Sequence, residues 1–150
     1  MKVENLEKHP EGGRFREVFR SERTVVTSDG KQRSALTHIY FELDKDEISR
    51  FHKVTSDEIW NLYQGNGLLL YLWDDSLGTL ECIELSAKNR EFCHMVKAGI
   101  WQAAKPLDGR VLLGCSVGPG FEFEDFELIK PESDVAGRIL EADLGLTDFI

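Results

Sequence analysis

The stretch that decides the fold is Ser49–Gly67, "SRFHKVTSDEIWNLYQGNG". From Glu58 onward it alternates: Glu58, Trp60 and Leu62 point one way, Ile59, Asn61 and Tyr63 the other. Period-two alternation of this kind is the mark of a strand with one face on a core. The Asn66-Gly67 pair that follows is a strong short-turn signal, because both residues tolerate positive φ. Glu58 to Trp73 therefore reads as a hairpin, with "LLLYLWDD" as its second strand. His52 and Glu58 on one short, half-buried stretch are compatible with a metal site, an acid/base pair or structural hydrogen bonding.

Strand signals extend on both sides. "SALTHIYFEL" puts Ala35, Thr37, Ile39, Phe41 and Leu43 on one face and Leu36, His38, Tyr40 and Glu42 on the other. "TLECIELS" and "EFCHMVKAG" flank "AKNR" at hairpin length, and "GRVLLGCSVGPGF" is an apolar strand ended by Gly-Pro-Gly. In "FEFEDFELI", Phe121 and Phe123 share a face that Phe126 and Leu128 keep only if a bulge falls near Glu124-Asp125. Only residues 132–145 look helical, capped by Ser133 or Asp134, with Val135, Ile139, Leu140 and Leu144 as the apolar stripe. Short strands separated by turn residues argue for an all-β sandwich or barrel with a short C-terminal helix.

The bulk properties narrow the function classes. At 150 residues with 41% hydrophobic side chains, the chain reads as one globular domain, 1–150. Its formal net charge of −9 repels phosphate backbones and anionic membranes, which argues against a nucleic-acid role. The longest apolar run, "GLLLYLW", is strand-sized, so no membrane partner is expected. "MKVENLEKHPEGG" lacks the apolar region of a signal peptide, and Cys82, Cys93 and Cys115 form no CxxC pair. A cytoplasmic protein with reduced thiols is the expectation.

Several residues could carry chemistry. Gly99 lets the backbone present Trp101 and Gln102, and Asp125 sits at the expected bulge, where strands often re-aim side chains. Trp60, Tyr63, Trp101, Phe121 and Phe123 are core aromatics on one reading and the wall of a ligand site on another. Arg14, Arg16 and Arg20 share a face opposite Phe15 and Phe19 if their segment is a strand. That face is either a solvated edge or a place from which one guanidinium, Arg16 for instance, meets a ligand phosphate.

With these residues in place the sequence resembles a cupin. His52, Glu58 and Gly65 keep the spacing of the first cupin motif, with Val54 at its second histidine; Lys97, Gly99 and Gln102 take the places of the second motif. More narrowly, "HPEGGRFREVFRS", "IYFEL", "FHKVTSDEIWNLYQG", "GIWQAA" and "CSVGPGFEFEDFEL" resemble the fifth cupin domain family over about residues 6–129. The resemblance implies a double-stranded β-helix, or jelly roll, and a homodimer. It also implies kinship with deoxysugar-nucleotide epimerase cupins that work without metal or other cofactor. On that analogy His52 is the base, Glu58 or Asp125 orients it and Tyr63 is the acid. Arg16, Asn61, Trp101, Gln102, Phe121 and Phe123 would line the site for a sugar or nucleotide-sugar. Asn61 replaces the family's usual histidine after Glu-Ile-Trp. Two alternatives stay open: a metal-dependent enzyme using His52, Glu58 and Gln102, and a non-catalytic dimeric binding protein.

Overall fold

The structure, a computed structural model, describes residues 2–150. The strands run β1 (Glu7–Lys8), β2 (Arg14–Arg20), β3 (Thr24–Val26), β4 (Gln32–Ser34), β5 (Thr37–Leu43), β6 (Ser49–Val54) and β7 (Asp57–Gln64). They continue as β8 (Leu68–Asp74), β9 (Thr79–Leu85), β10 (Cys93–Val96), β11 (Trp101–Pro106), β12 (Val111–Gly118) and β13 (Phe126–Leu128). Helix α1 (Asp134–Ala142) and a 3-10 segment (Leu144–Phe149) end the chain. A six-stranded sheet in the order β1-β2-β5-β12-β7-β10 faces a five-stranded one in the order β13-β6-β11-β8-β9. All pairings are antiparallel. This is the jelly-roll, all-β fold with one short C-terminal helix.

The alternation expected for β5 and β7 is the alternation observed. Thr37, Phe41 and Leu43 are buried on one face of β5, and Glu58, Trp60 and Leu62 on one face of β7. The expected hairpins are different. β7 pairs with β12 and β10, whereas β8 pairs with β11 and β9, so Asn66-Gly67 carries the chain from one sheet to the other. Crossing lets Leu62 and Leu68 both bury in the core between the sheets. A Cβ at Gly67 would fall on the Leu85 carbonyl oxygen, which reserves that crossing for glycine. "AKNR" likewise joins β9 and β10 of opposite sheets, with a Ser86–Glu91 bridge at its base.

Two further expectations are corrected. Phe123–Asp125 forms a 3-10 turn and only Phe126–Leu128 is strand, so the turn changes the phase where a bulge was expected. In β2 the bulge lies instead between Glu17 and Phe19. It separates the arginines: Arg20 lines the cavity rim with Phe15 and Glu17, while Arg16 lies opposite Tyr40 and donates to the Glu4 carbonyl.

The helix builds a second core on the outer face of the five-stranded sheet. Ala136, Ile139, Leu146 and Phe149 pack on Phe51, Trp73, Trp101, Ala103 and Ile129. Ser133 caps α1, its hydroxyl accepting from the Ala136 amide at 3.3 Å. Leu144, expected on the apolar stripe, is exposed. β6 and β11 are therefore covered on both faces, which is why every residue of "WQAAKP" except Lys105 is buried.

Candidate functional site

A cavity of about 100 Å³ opens at one end of the space between the sheets. β6 supplies His52 and Val54, β7 supplies Glu58, β12 supplies Cys115 and Val117, and β5 supplies Thr37 and Ile39. Phe15, Glu17 and Arg20 come from β2, and Phe121, Phe123 and Phe126 from the segment that closes over the mouth. The remaining wall is the turn His9–Gly13.

That turn is what the sequence reading missed. The His9 amide donates to the Gly13 carbonyl at 3.0 Å, and the Arg50 amide donates to the Glu11 carbonyl at 2.7 Å, pinning the turn onto β6. Gly12 sits at φ 116°, and a Cβ there would fall on the Ile48 carbonyl oxygen. Glu11 is thereby delivered to His52, its Oε2 lying 2.9 Å from Nε2. Both residues are buried. The signal was "HPEGG": a turn with two consecutive glycines beside an acid that the strand reading passed over.

His52 has no free nitrogen. Nδ1 donates to the Arg50 carbonyl at 2.7 Å and Nε2 faces the Glu11 carboxylate, so both ring nitrogens are engaged. Burial alone would push its pKa down, but the Glu11 charge and hydrogen bond, then Glu58 and the Arg50 carbonyl, hold it above the ordinary value. Glu11 shows the converse: burial pushes it up, and His52, then His9, hold it below the usual carboxylate value. His9 is displaced downward, mainly by burial, and its Nδ1 accepts from the Glu11 amide at 3.3 Å. His52 is thus engaged at both nitrogens and is not an open base.

Glu58 is displaced in the opposite direction to Glu11. Burial, opposed by His52 and assisted by Glu11, pushes its carboxyl up to about 7. Gln102 holds it, Nε2 donating to Glu58 Oε2 at 2.6 Å, while the Trp60 Nε1–H donates to Gln102 Oε1 at 2.8 Å and fixes the amide. The Cys115 thiol lies against Glu58, and burial pushes it well above its ordinary value.

The other candidates divide. Phe121 and Phe123 line the cavity, and Gln102 touches it through Glu58. Trp101 faces the opposite way, into the core under α1, with Lys53 Nζ 4.6 Å above its ring. Asn61 is outside, its Nδ2 donating to the Gly114 carbonyl at 2.9 Å. Tyr63 is also outside and bonds His38 Nε2 at 3.0 Å, so it cannot act as the acid to a ligand held at Glu58. Asp125 is occupied by Arg33 at 2.6 and 2.9 Å and does not orient His52. Arg16 points away from the cavity. These positions follow from strand parity and the β2 bulge.

Nor do the residues fit a metal centre. His52 offers no lone pair, and Gln102 is committed between Trp60 and Glu58. Among the described residues no three His, Cys, Asp or Glu side chains converge as metal ligands.

The chain and its fold are similar to those of known proteins. The family described as Cupin superfamily (DUF985) matches residues 2–129. The chain is 31% identical over 147 residues to Uncharacterized protein YML079W of Saccharomyces cerevisiae, covering 87% of this chain and 73% of that one. Protein SO0799 from Shewanella oneidensis superposes with a TM-score of 0.82 at 33% identity, over 96% of this chain and 89% of that one. A cupin 2 conserved barrel domain protein from Rhodopseudomonas palustris shares the fold at 14% identity, with a TM-score of 0.59 over 97% and 87% of the two chains.

Proposed function

Because the chain belongs to the cupin superfamily family DUF985, we propose that it binds a small organic molecule between its sheets and moves a proton on it, in an isomerase-like reaction run by its own side chains. The observation that carries this reading is the Glu58 carboxyl, buried in the cavity wall with its pKa pushed up to about 7. A general acid/base works best when its pKa lies near the working pH, because both forms are then populated. The Glu58 carboxylate would take the proton from a hydroxyl-bearing carbon next to a carbonyl and, as the acid, return it to the former carbonyl carbon. The hydroxyl proton passes to the former carbonyl oxygen, so that aldose and ketose interconvert with no net gain or loss of protons.

Proton return from the same face distinguishes this reading from an epimerisation, which needs a second group opposite the first. Tyr63, the residue the epimerase analogy assigns to that role, lies outside the cavity. The ligand class carried forward is sugar-sized. A cavity of about 100 Å³ takes part of one ring, and the nucleotide of a nucleotide-sugar would project beyond the mouth.

The family resemblance also supports a homodimer. We place its interface on the outer face of the six-stranded sheet, where Phe19, Ile59, Tyr63 and Met95 are exposed together. Apolar side chains gathered on one sheet face, around the His38–Ser116 pair, are what an association surface presents.

The test is solvent exchange. Aldoses, ketoses and their amino and acid derivatives are incubated with the protein in deuterated water, and deuterium uptake beside the carbonyl is followed by NMR. Uptake that Glu58→Gln abolishes supports the reading. Uptake that survives Glu58→Gln removes Glu58 from the reaction, and binding without uptake makes the chain a binding protein.

A further inference from the structure

We propose that the occupant of this cavity is a small organic cation, a compound of sugar size or less bearing an ammonium group; the inference rests on the reading of the cavity as a ligand site. Four carboxylates, Glu11, Glu17, Glu58 and Glu122, line it against two cationic side chains, Arg20 and His52. With Glu58 protonated, three carboxylates still face two cations.

Both cations are already spent. The N–H groups of His52 go to Arg50 and Glu11. Arg20 donates from Nε and Nη2 to the two oxygens of Glu17 at 2.9 and 2.8 Å. Its Nη1 donates to Glu122 at 2.7 Å, and Nη2 also donates to the Phe121 carbonyl at 3.0 Å. A phosphate or carboxylate arriving at the mouth finds no open guanidinium fork and an excess of negative charge. That rules against the diphosphate of a nucleotide-sugar as the recognised group.

The walls favour the opposite charge. Phe121, Phe123 and Phe126 form a cluster at the mouth, with ring centroids 5.0, 6.1 and 6.1 Å apart, and Phe15 and His9 continue it inward. Aromatic rings attract cations through their quadrupole, most strongly where water is excluded. They offer nothing to the hydroxyls of a neutral polyol, which would lose water there without replacement. The whole-chain charge of −9 draws a cation in the same direction.

Calorimetric titration with four probes decides it: glucosamine, glucose, glucuronate and tetramethylammonium, at low salt and slightly below neutral pH. Glucosamine is expected to bind about tenfold tighter than glucose, with glucuronate weakest and tetramethylammonium bound in the same cavity. Glu122→Gln and Phe123→Leu, both at the exposed rim, should each narrow that preference severalfold. Equal affinity for glucosamine and glucose, a preference for glucuronate, or no binding of either cation overturns the proposal. Glucose bound as well as glucosamine would leave a sugar site without charge selection. Tetramethylammonium bound with every sugar rejected would uphold the charge selection and discard the sugar-sized ligand, so the two readings fail separately.

Discussion

The Glu11 carboxylate lies 2.9 Å from His52 Nε2 with both side chains buried, joining the N-terminal turn to β6 of the five-stranded sheet. Breaking a buried ion pair from one side leaves an uncompensated charge. His52→Ala is therefore expected to cost about 3–5 kcal/mol in chemical denaturation. The double change Glu11→Gln/His52→Gln should cost clearly less than the two single changes summed. Additive costs would mean that the two groups are not paired in solution.

The pH dependence of stability follows from the same pair. His52 is raised above 6.5, so its contribution is complete below that value and is lost as pH rises through its folded pKa. Glu11 is lowered below 4.5, so its contribution is present above that value and is lost as pH falls through its folded pKa. The pair contributes fully between about 4.5 and 6.5, and urea midpoints across pH should show its loss on either side. A pair contribution that keeps rising above neutral pH contradicts this assignment.

Glu58 acts in the opposite sense to Glu11. Its folded pKa of about 7 lies above 4.5, so the folded state binds more protons and Glu58 makes the protein less stable as pH rises between the two values. The full effect is about 3 kcal/mol. Glu58→Gln should remove this slope, leaving the variant relatively more stable at pH 8 than at pH 5 when each is compared with wild type. An unchanged slope would place the titration elsewhere.

At the proposed dimer face, Ile59→Arg or Tyr63→Arg should give monomers in sedimentation, because either introduces charge into an apolar patch. Wild-type protein that sediments as a monomer would remove the interface. Gly114 is part of this surface, since a Cβ there would strike the Tyr63 ring that reaches across to His38. Gly114→Ala should displace that ring and cost about 1 kcal/mol, a typical surface-to-core penalty.

The C-terminal segment is structural support for the site's back wall. Phe149 packs at 6.3 Å from Phe51, the neighbour of His52 in β6, and at 5.2 Å from Tyr71. Phe149→Ala should cost about 3–5 kcal/mol, while Leu144→Ala, at an exposed position, should cost close to nothing. Equal costs would argue that the segment does not dock as described.

Strand identity was legible because it depends on neighbours two residues apart. The inward set Glu58, Trp60 and Leu62, the set Thr37, Phe41 and Leu43, and the capped helix after Ser133 all appear where the pattern puts them. Strand pairing was not legible. The Asn66-Gly67 signal is real as a turn, but whether a turn folds a strand back on its neighbour or passes it to the facing sheet depends on what the next strand buries against. The same holds for the site residues: parity told Tyr63 and Asn61 from Glu58, yet not which face was the cavity.

The sequence by itself determined an all-β chain with one short C-terminal helix, and its motifs resembled a jelly-roll cupin, because composition, period and motif spacing are local properties of the chain. Only the tertiary structure decided that Glu11, 41 positions upstream of His52 in the numbering, is its partner. It also decided that Trp101 turns to the helix and that Asp125 belongs to Arg33. Those contacts come from where a two-glycine turn, a strand bulge and a crossover deliver side chains in space. Protonation follows in turn, since the charges on His52 and Glu58 are set by burial and by partners brought from distant segments.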